Sequence, residues 1–124
     1  MDKQVKSKER VADFGEVNTS DREVNAMLDL VKQETERLDS RFLEPACGDG
    51  NFLIEVLNRK LGVLVKKYKK NQYEFERNSV VVVGSIYGVD ILADNAQSAR
   101  DRLFDRFIKV YEKYFEEYLN DNLI

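Results

Sequence analysis

Histidine is absent from the 124 residues, and cysteine and proline occur once each. Without histidine there is no Ser-His-Asp or Cys-His catalysis, and most zinc sites are excluded as well. The single thiol, Cys47, cannot close an internal disulfide, which fits a reducing compartment and makes the cytoplasm the expected location. No run of about 18 apolar residues occurs, so no membrane-spanning helix is expected. The first residues, Met1 to Lys6, are polar and carry no apolar signal core. An excess of positive charge is also missing. A complete DNA-recognition surface needs clustered lysine and arginine to meet phosphates, and the formal net charge here is -3.

What remains is 43% hydrophobic and 35% charged, the composition of a soluble globular chain. Its length allows one domain or less, with a modest core. Residues 1–19 are polar and mixed in charge. Ser20 followed by Glu23 reads as a capping box, and a helix should follow with Val24, Met27, Leu28, Val31 and Leu38 on one apolar face. Arg41 to Glu44 is a short strand candidate stopped by Pro45. From Asn51 the apolar residues Leu53, Val56, Leu57, Leu61, Leu64, Val65 and Tyr68 recur at helical spacing, and lysines 66, 67, 69 and 70 suit the C-terminal end of that helix. Residues 71–78 read as a connecting loop. Ser79 to Val83 and Ile86 to Ile91 are β-branched enough to hold at least one buried strand. Asp94 reads as the N-cap of a last helix over about 94–120, with a wide aromatic face that must be covered by something. Helices alternating with strands predict an α/β layer with parallel strands.

The strand, the loop Pro45-Ala46-Cys47-Gly48-Asp49-Gly50 and the following helix form the strongest motif. Glycines allow a sharp turn and bring a ligand close to the main chain, and the next helix offers free amides. A ligand is therefore expected beyond the C-terminal end of the first strand. A dinucleotide fingerprint would need a third glycine at position 53, which is Leu53, and no Gly-Lys-Ser or Gly-Lys-Thr phosphate loop occurs. Glu44 and Asp49 would repel a pyrophosphate but suit a cation, and S-adenosylmethionine carries an ammonium and a sulfonium. Asp90, at the end of the second strand, is placed to accept from ribose hydroxyls, with Ile91 beside the adenine. Cys47 fits a tight loop as a small buried thiol better than it fits a nucleophile, having no base near it in sequence.

Leu43 to Leu53 resembles the first motif of adenine-N6 DNA methyltransferases of restriction-modification systems. Ile86 to Ile91 resembles their second motif. Arg10 to Val17 and the helix from Glu23 to Leu30 resemble their N-terminal cofactor motif, with Asn18-Thr19-Ser20 where the family often has Phe-Thr-Pro. The resemblance implies an incomplete Rossmann-like methyltransferase unit, a small parallel sheet flanked by helices. Residues 1–40 would be an N-terminal segment and helix of the cofactor site, and 41–124 a partial S-adenosylmethionine-binding domain. It implies that Thr19 and the loop Pro45, Ala46, Cys47, Gly48 and Gly50 hold the methionine part, that Glu44 places its amino end, that Asp90 binds the ribose, and that Ile91 flanks the adenine. No metal is implied. The family's catalytic Asn/Asp-Pro-Pro-Tyr/Phe, which grips the flipped base, needs prolines this chain does not have. The chain is thus expected to be a fragment or truncated product, inactive alone, with weak or no DNA binding and a tendency to self-associate through the aromatic helix or a strand edge. The alternative is a non-catalytic module that binds S-adenosylmethionine or a partner subunit.

Overall fold

A computed structural model describes residues 20–45 and 47–122, with side chains as far as Glu116. The elements are α1 (Asp21–Asp29), α2 (Lys32–Thr35), β1 (Phe42–Glu44), α3 (Asn51–Tyr68), α4 (Gln72–Val83), β2 (Ile86–Gly88) and α5 (Ala93–Asn122). The chain is mostly helical, with a small parallel sheet of two strands. Phe42 pairs with Ile86, Leu43 with Tyr87 and Glu44 with Gly88. The ladder continues past both strands, because the Phe42 amide donates to Ser85 O at 2.8 Å and the Cys47 amide to Val89 O at 3.0 Å.

α1 starts as its sequence predicts, with Ser20 Oγ accepting from the Glu23 amide at 3.3 Å. Its apolar face is narrower than expected. Val24 and Leu28 are buried, but Met27 and Val31 are exposed, because the helix stops at Asp29 and α2 turns the chain away. α3 is the hub. It buries Leu53, Ile54, Val56, Leu57, Leu61 and Leu64 on one wide face. Burying aliphatic side chains of this size stabilises by about 1.5–3 kcal/mol each, so most of the cohesion passes through this helix. Arg59 fixes α1 against it by donating to Asn25 O at 3.1 Å and to Asp29 Oδ1 at 2.7 Å.

The expected loop over 71–78 and the valine run 79–83, the first of the two runs read as holding at least one strand, are instead one helix, α4. Asn71 caps it, its side chain accepting from the Glu74 amide at 3.1 Å. Phe75, Ser79 and Val82 point into the core, a helical period, while Val80 and Val83 are exposed. Tertiary burial of one face outweighs the strand preference of four consecutive valines. The β run therefore shrinks to Ile86–Gly88. α5 begins one residue before Asp94; Leu92 O accepts from the Asn95 and Ala96 amides at 3.1 and 3.3 Å, and Asp94 Oδ1 also accepts from the Asn95 amide at 3.0 Å. Its axis is broken at Phe115, whose φ of -139° leaves the helical region.

Ile54, Leu57, Leu61, Leu64, Phe75, Val82 and Tyr111 form the main core, where α3, α4 and α5 meet. Phe42 and Ile86 pack on a second cluster of Val24, Leu28 and Val56. Among the described residues the helices cover this face of the sheet alone. On the other face Leu43 and Tyr87, directly paired, are exposed. No described helix is long and apolar enough to cross a membrane.

Candidate site at the ends of the parallel strands

β1 and β2 run in the same direction, so their C-terminal ends deliver Pro45–Gly50 and Val89–Leu92 to one place. Two glycines shape the first loop. Gly48 has φ of 56° and Gly50 of 93°, both in the left-handed region that a side chain disfavours. Gly50 also occupies the N-cap of α3, where no side chain caps the helix. A Cβ at Gly50 would lie 3.1 Å from the Ala99 Cβ on α5, so the loop approaches that helix closely. Gly50→Ala is therefore expected to cost about 1.5 kcal/mol, from left-handed strain and crowding together. Urea unfolding followed by circular dichroism checks this, and an unchanged midpoint would contradict the loop geometry.

Asp90 links the two loops. Its Oδ2 accepts from the Gly48 amide at 3.0 Å, and its Oδ1 accepts from the Leu92 amide at 2.8 Å and from Asn95 Nδ2 at 3.4 Å. Ionised carboxylates accept strongly from backbone amides, so this residue holds Gly48 in its left-handed turn. Arg102, from the middle of α5, closes the far side. Its Nη1 donates to Asp49 O at 3.0 Å and to Asn51 Oδ1 at 2.8 Å, and pairs with Asp49 Oδ1 at 3.4 Å.

Cys47 lies beneath the loop, 7% exposed, against Leu53 and Ala99. Burial raises its thiol pKa, and the charges of Asp90, Glu44 and Asp49 raise it further. The thiol is therefore neutral at pH 7 and not an activated nucleophile. The same three carboxylates make the loop region electronegative, partly offset at Asp49 by Arg102. Such a field favours a cation over a phosphate.

The structure brings together Glu44, Pro45, Cys47, Gly48, Gly50 and Asp90. Glu44 is half-buried, and its carbonyl accepts from the Val89 amide at 3.1 Å. Pro45 is exposed in the turn, and Ile91 is 84% exposed just beyond Asp90. Thr19 and Ala46 lie outside the described residues. A cavity of about 620 Å³ opens beside the strands, lined by Leu43, Tyr87, Leu53, Ala99 and Leu103. Of the expected ligand residues it reaches Cys47, and it leaves Gly48, Gly50, Asp90 and Ile91 outside. No group of acidic or thiol side chains suited to a metal ion occurs among the described residues.

Three contributors were not foreseen. Arg102 is separated from Asp49 by 53 residues, so no local pattern marks it. Asn95, 1% exposed, lies in the first turn of α5, with its Nδ2 on Asp90 Oδ1. Gly88 was legible in principle, as a glycine ending a strand. A Cβ there would meet Leu53 Cδ1 at 2.6 Å and Cys47 Sγ at 3.2 Å, so only glycine lets the loop pack on β2. Comparison with protein-family models, with curated proteins and with solved structures finds no match to this chain.

Proposed function

We propose that this chain is the cofactor-binding portion of an S-adenosylmethionine-dependent DNA adenine-N6 methyltransferase of the restriction-modification type, built on an incomplete Rossmann-like unit. The observation that carries the reading is the meeting of two left-handed glycines with Asp90 at the C-terminal ends of adjacent parallel strands. That is where open α/β sheets bind nucleoside ligands. The field of Glu44, Asp49 and Asp90 favours a cationic ligand, and exposed Ile91 offers an apolar surface for a base.

In this proposal the Gly48–Gly50 backbone holds the methionine part together with Pro45 and Cys47, and the family resemblance adds Thr19 and Ala46 to that role. Glu44 faces the ammonium, Asp90 takes the ribose hydroxyls and Ile91 flanks the adenine. The cofactor would supply an electrophilic methyl group on its sulfonium. Asp90 already accepts from Gly48, Leu92 and Asn95, so one ribose hydroxyl uses the lone pair left on Oδ2 and the other displaces the long Asn95 bond on Oδ1. Since the sequence has no Asn/Asp-Pro-Pro-Tyr/Phe, methyl transfer to a flipped adenine requires an element from outside these residues. With a net charge of -3, the chain itself holds DNA weakly or not at all.

Isothermal titration with S-adenosylmethionine tests the reading. A folded sample is expected to bind it, and Asp90→Ala to weaken the affinity at least tenfold. A native circular-dichroism spectrum without any binding heat would remove the proposal. Binding that survives Asp90→Ala unchanged would remove the ribose role.

A further inference from the structure

The groove between α4 and α5 lies away from the strand ends. Its walls are apolar and open. Val80 is 73% exposed, Val83 57% and Phe104 68%. Beneath them a cavity of about 540 Å³ runs past Val80, Val83, Phe107, Ile108 and Tyr111, and an adjoining one of about 320 Å³ continues past Phe104 to Arg100. Large apolar side chains clustered in this way mark an interaction surface more often than a solvated face.

The two ends of the groove differ in charge. Arg100 lines the first end; its Nη1 donates to Gln97 Oε1 within its own helix, and the side chain is exposed. Glu76 lines the opposite end. Its Oε2 is removed from solvent and has no hydrogen-bond partner. A buried carboxylate oxygen without a donor is destabilising, and a cation brought by another molecule would relieve it.

We infer that this groove is a two-fold interface with a second copy of the chain. In an isologous contact one patch meets itself in reverse. The arginine end of one copy then lies over the carboxylate end of the other, and each Glu76 receives the partner's Arg100. The exposed ring of Phe104 meets the valine wall of the opposite α4. The acid-to-base order along the groove is self-complementary under that reversal, which argues for a second copy over an unrelated helix. Arg100 also lines the cavity beside the strands, but the inference does not depend on the cofactor reading, because none of the residues proposed to hold the cofactor takes part.

α4 has 12 residues and spans about 18 Å, so the interface belongs to the small end of specific contacts. A reversible dimer with a Kd on the order of 10 µM is expected. Sedimentation velocity of the full chain from about 1 to 300 µM measures it, with circular dichroism as the check on folding. Phe104→Glu should raise Kd at least thirtyfold, and Glu76→Arg or Arg100→Glu at least tenfold each. The double variant Glu76→Arg with Arg100→Glu should return to within about threefold of the native value. If Glu76→Arg fails to fold, the exposed positions Phe104 and Arg100 decide the matter. A monomer throughout the range overturns the inference and leaves the groove to a foreign partner. A dimer indifferent to Phe104→Glu, or one broken instead by Leu43→Glu on the bare sheet face, also overturns it.

Discussion

Phe75→Ala is expected to lower stability by about 4 kcal/mol, close to the whole margin of a domain of this size. Phe75 is completely buried at the junction of α3, α4 and α5. Its ring meets Phe115 edge-on at 5.1 Å and Tyr111 at 6.1 Å. Truncation leaves a cavity between two helices that the rest of the core holds apart, and it removes the aromatic contacts that close α4 onto the break in α5. Urea unfolding monitored at 222 nm (the usual helix signal) reads the loss. If the variant does not fold, Phe75→Leu, which keeps half of the packing, should still lose more than about 1 kcal/mol. A cost below that for both variants would mean that residues 72–83 are not a packed helix.

The second large effect belongs to Lys60. It is fully buried on α3, an unusual place for an ammonium. Nζ donates to Leu38 O at 3.2 Å, to Ser40 O, and to Ser85 Oγ at 2.8 Å, and it lies 5.3 Å from the centre of the Phe42 ring. Ser85 Oγ in turn donates to Val82 O at 2.6 Å. One cation therefore joins the segment entering β1 to the segment entering β2. Lys60→Met keeps the volume and removes all three bonds. Each such bond contributes about 1.5–3 kcal/mol, partly offset by relief of the desolvation penalty, so a net loss of about 3 kcal/mol is expected.

The pH dependence carries a definite sign. Burial lowers the Lys60 pKa from 10.5 to about 8, so between those values the unfolded chain binds more protons than the folded one. Stability from this group then rises as pH climbs from about 8 to about 10.5, and below pH 8 the cost of the buried charge is present in full. The stability gap between the native chain and Lys60→Met should widen between pH 8 and pH 10. A gap that narrows would show that the ammonium is not desolvated.

The legible parts of this chain were those whose meaning is local. Ser20 with Glu23 starts α1, the repeat from Leu53 to Leu64 defines α3, and two glycines after Pro45 mark a tight turn. Parallel pairing followed from helices lying between strand candidates. The misreading of 71–83 had a physical source. Four successive valines favour a strand intrinsically, and only the spacing of Phe75, Ser79 and Val82, with Asn71 and Glu74 as cap signals, pointed to a helix. Lys60 falls on the buried stripe of α3 between Leu57 and Leu61, but a lysine there reads as surface until the carbonyls facing it are known. In the candidate site, the glycines and Asp90 were visible because their roles depend on backbone shape and strand ends. Arg102 was not, because it reaches the loop from a distant turn of α5.

The bond between the Gly48 amide and Asp90 joins residues 42 positions apart, and most of that interval is α3 and α4. Closing so long a loop costs entropy before any contact rewards it. Helices α3 and α4 recover part of that cost through contacts close in sequence, so their docking precedes the pairing of two strands of three residues each. The glycine turn is consequently the last part of the chain to be assembled and the first to open. In hydrogen exchange its amides are expected at the low-protection end of the molecule, and those of α3 are expected to report global unfolding. Whatever binds at the turn binds the least cooperative part of the fold, and part of its binding energy goes into completing the chain's own assembly.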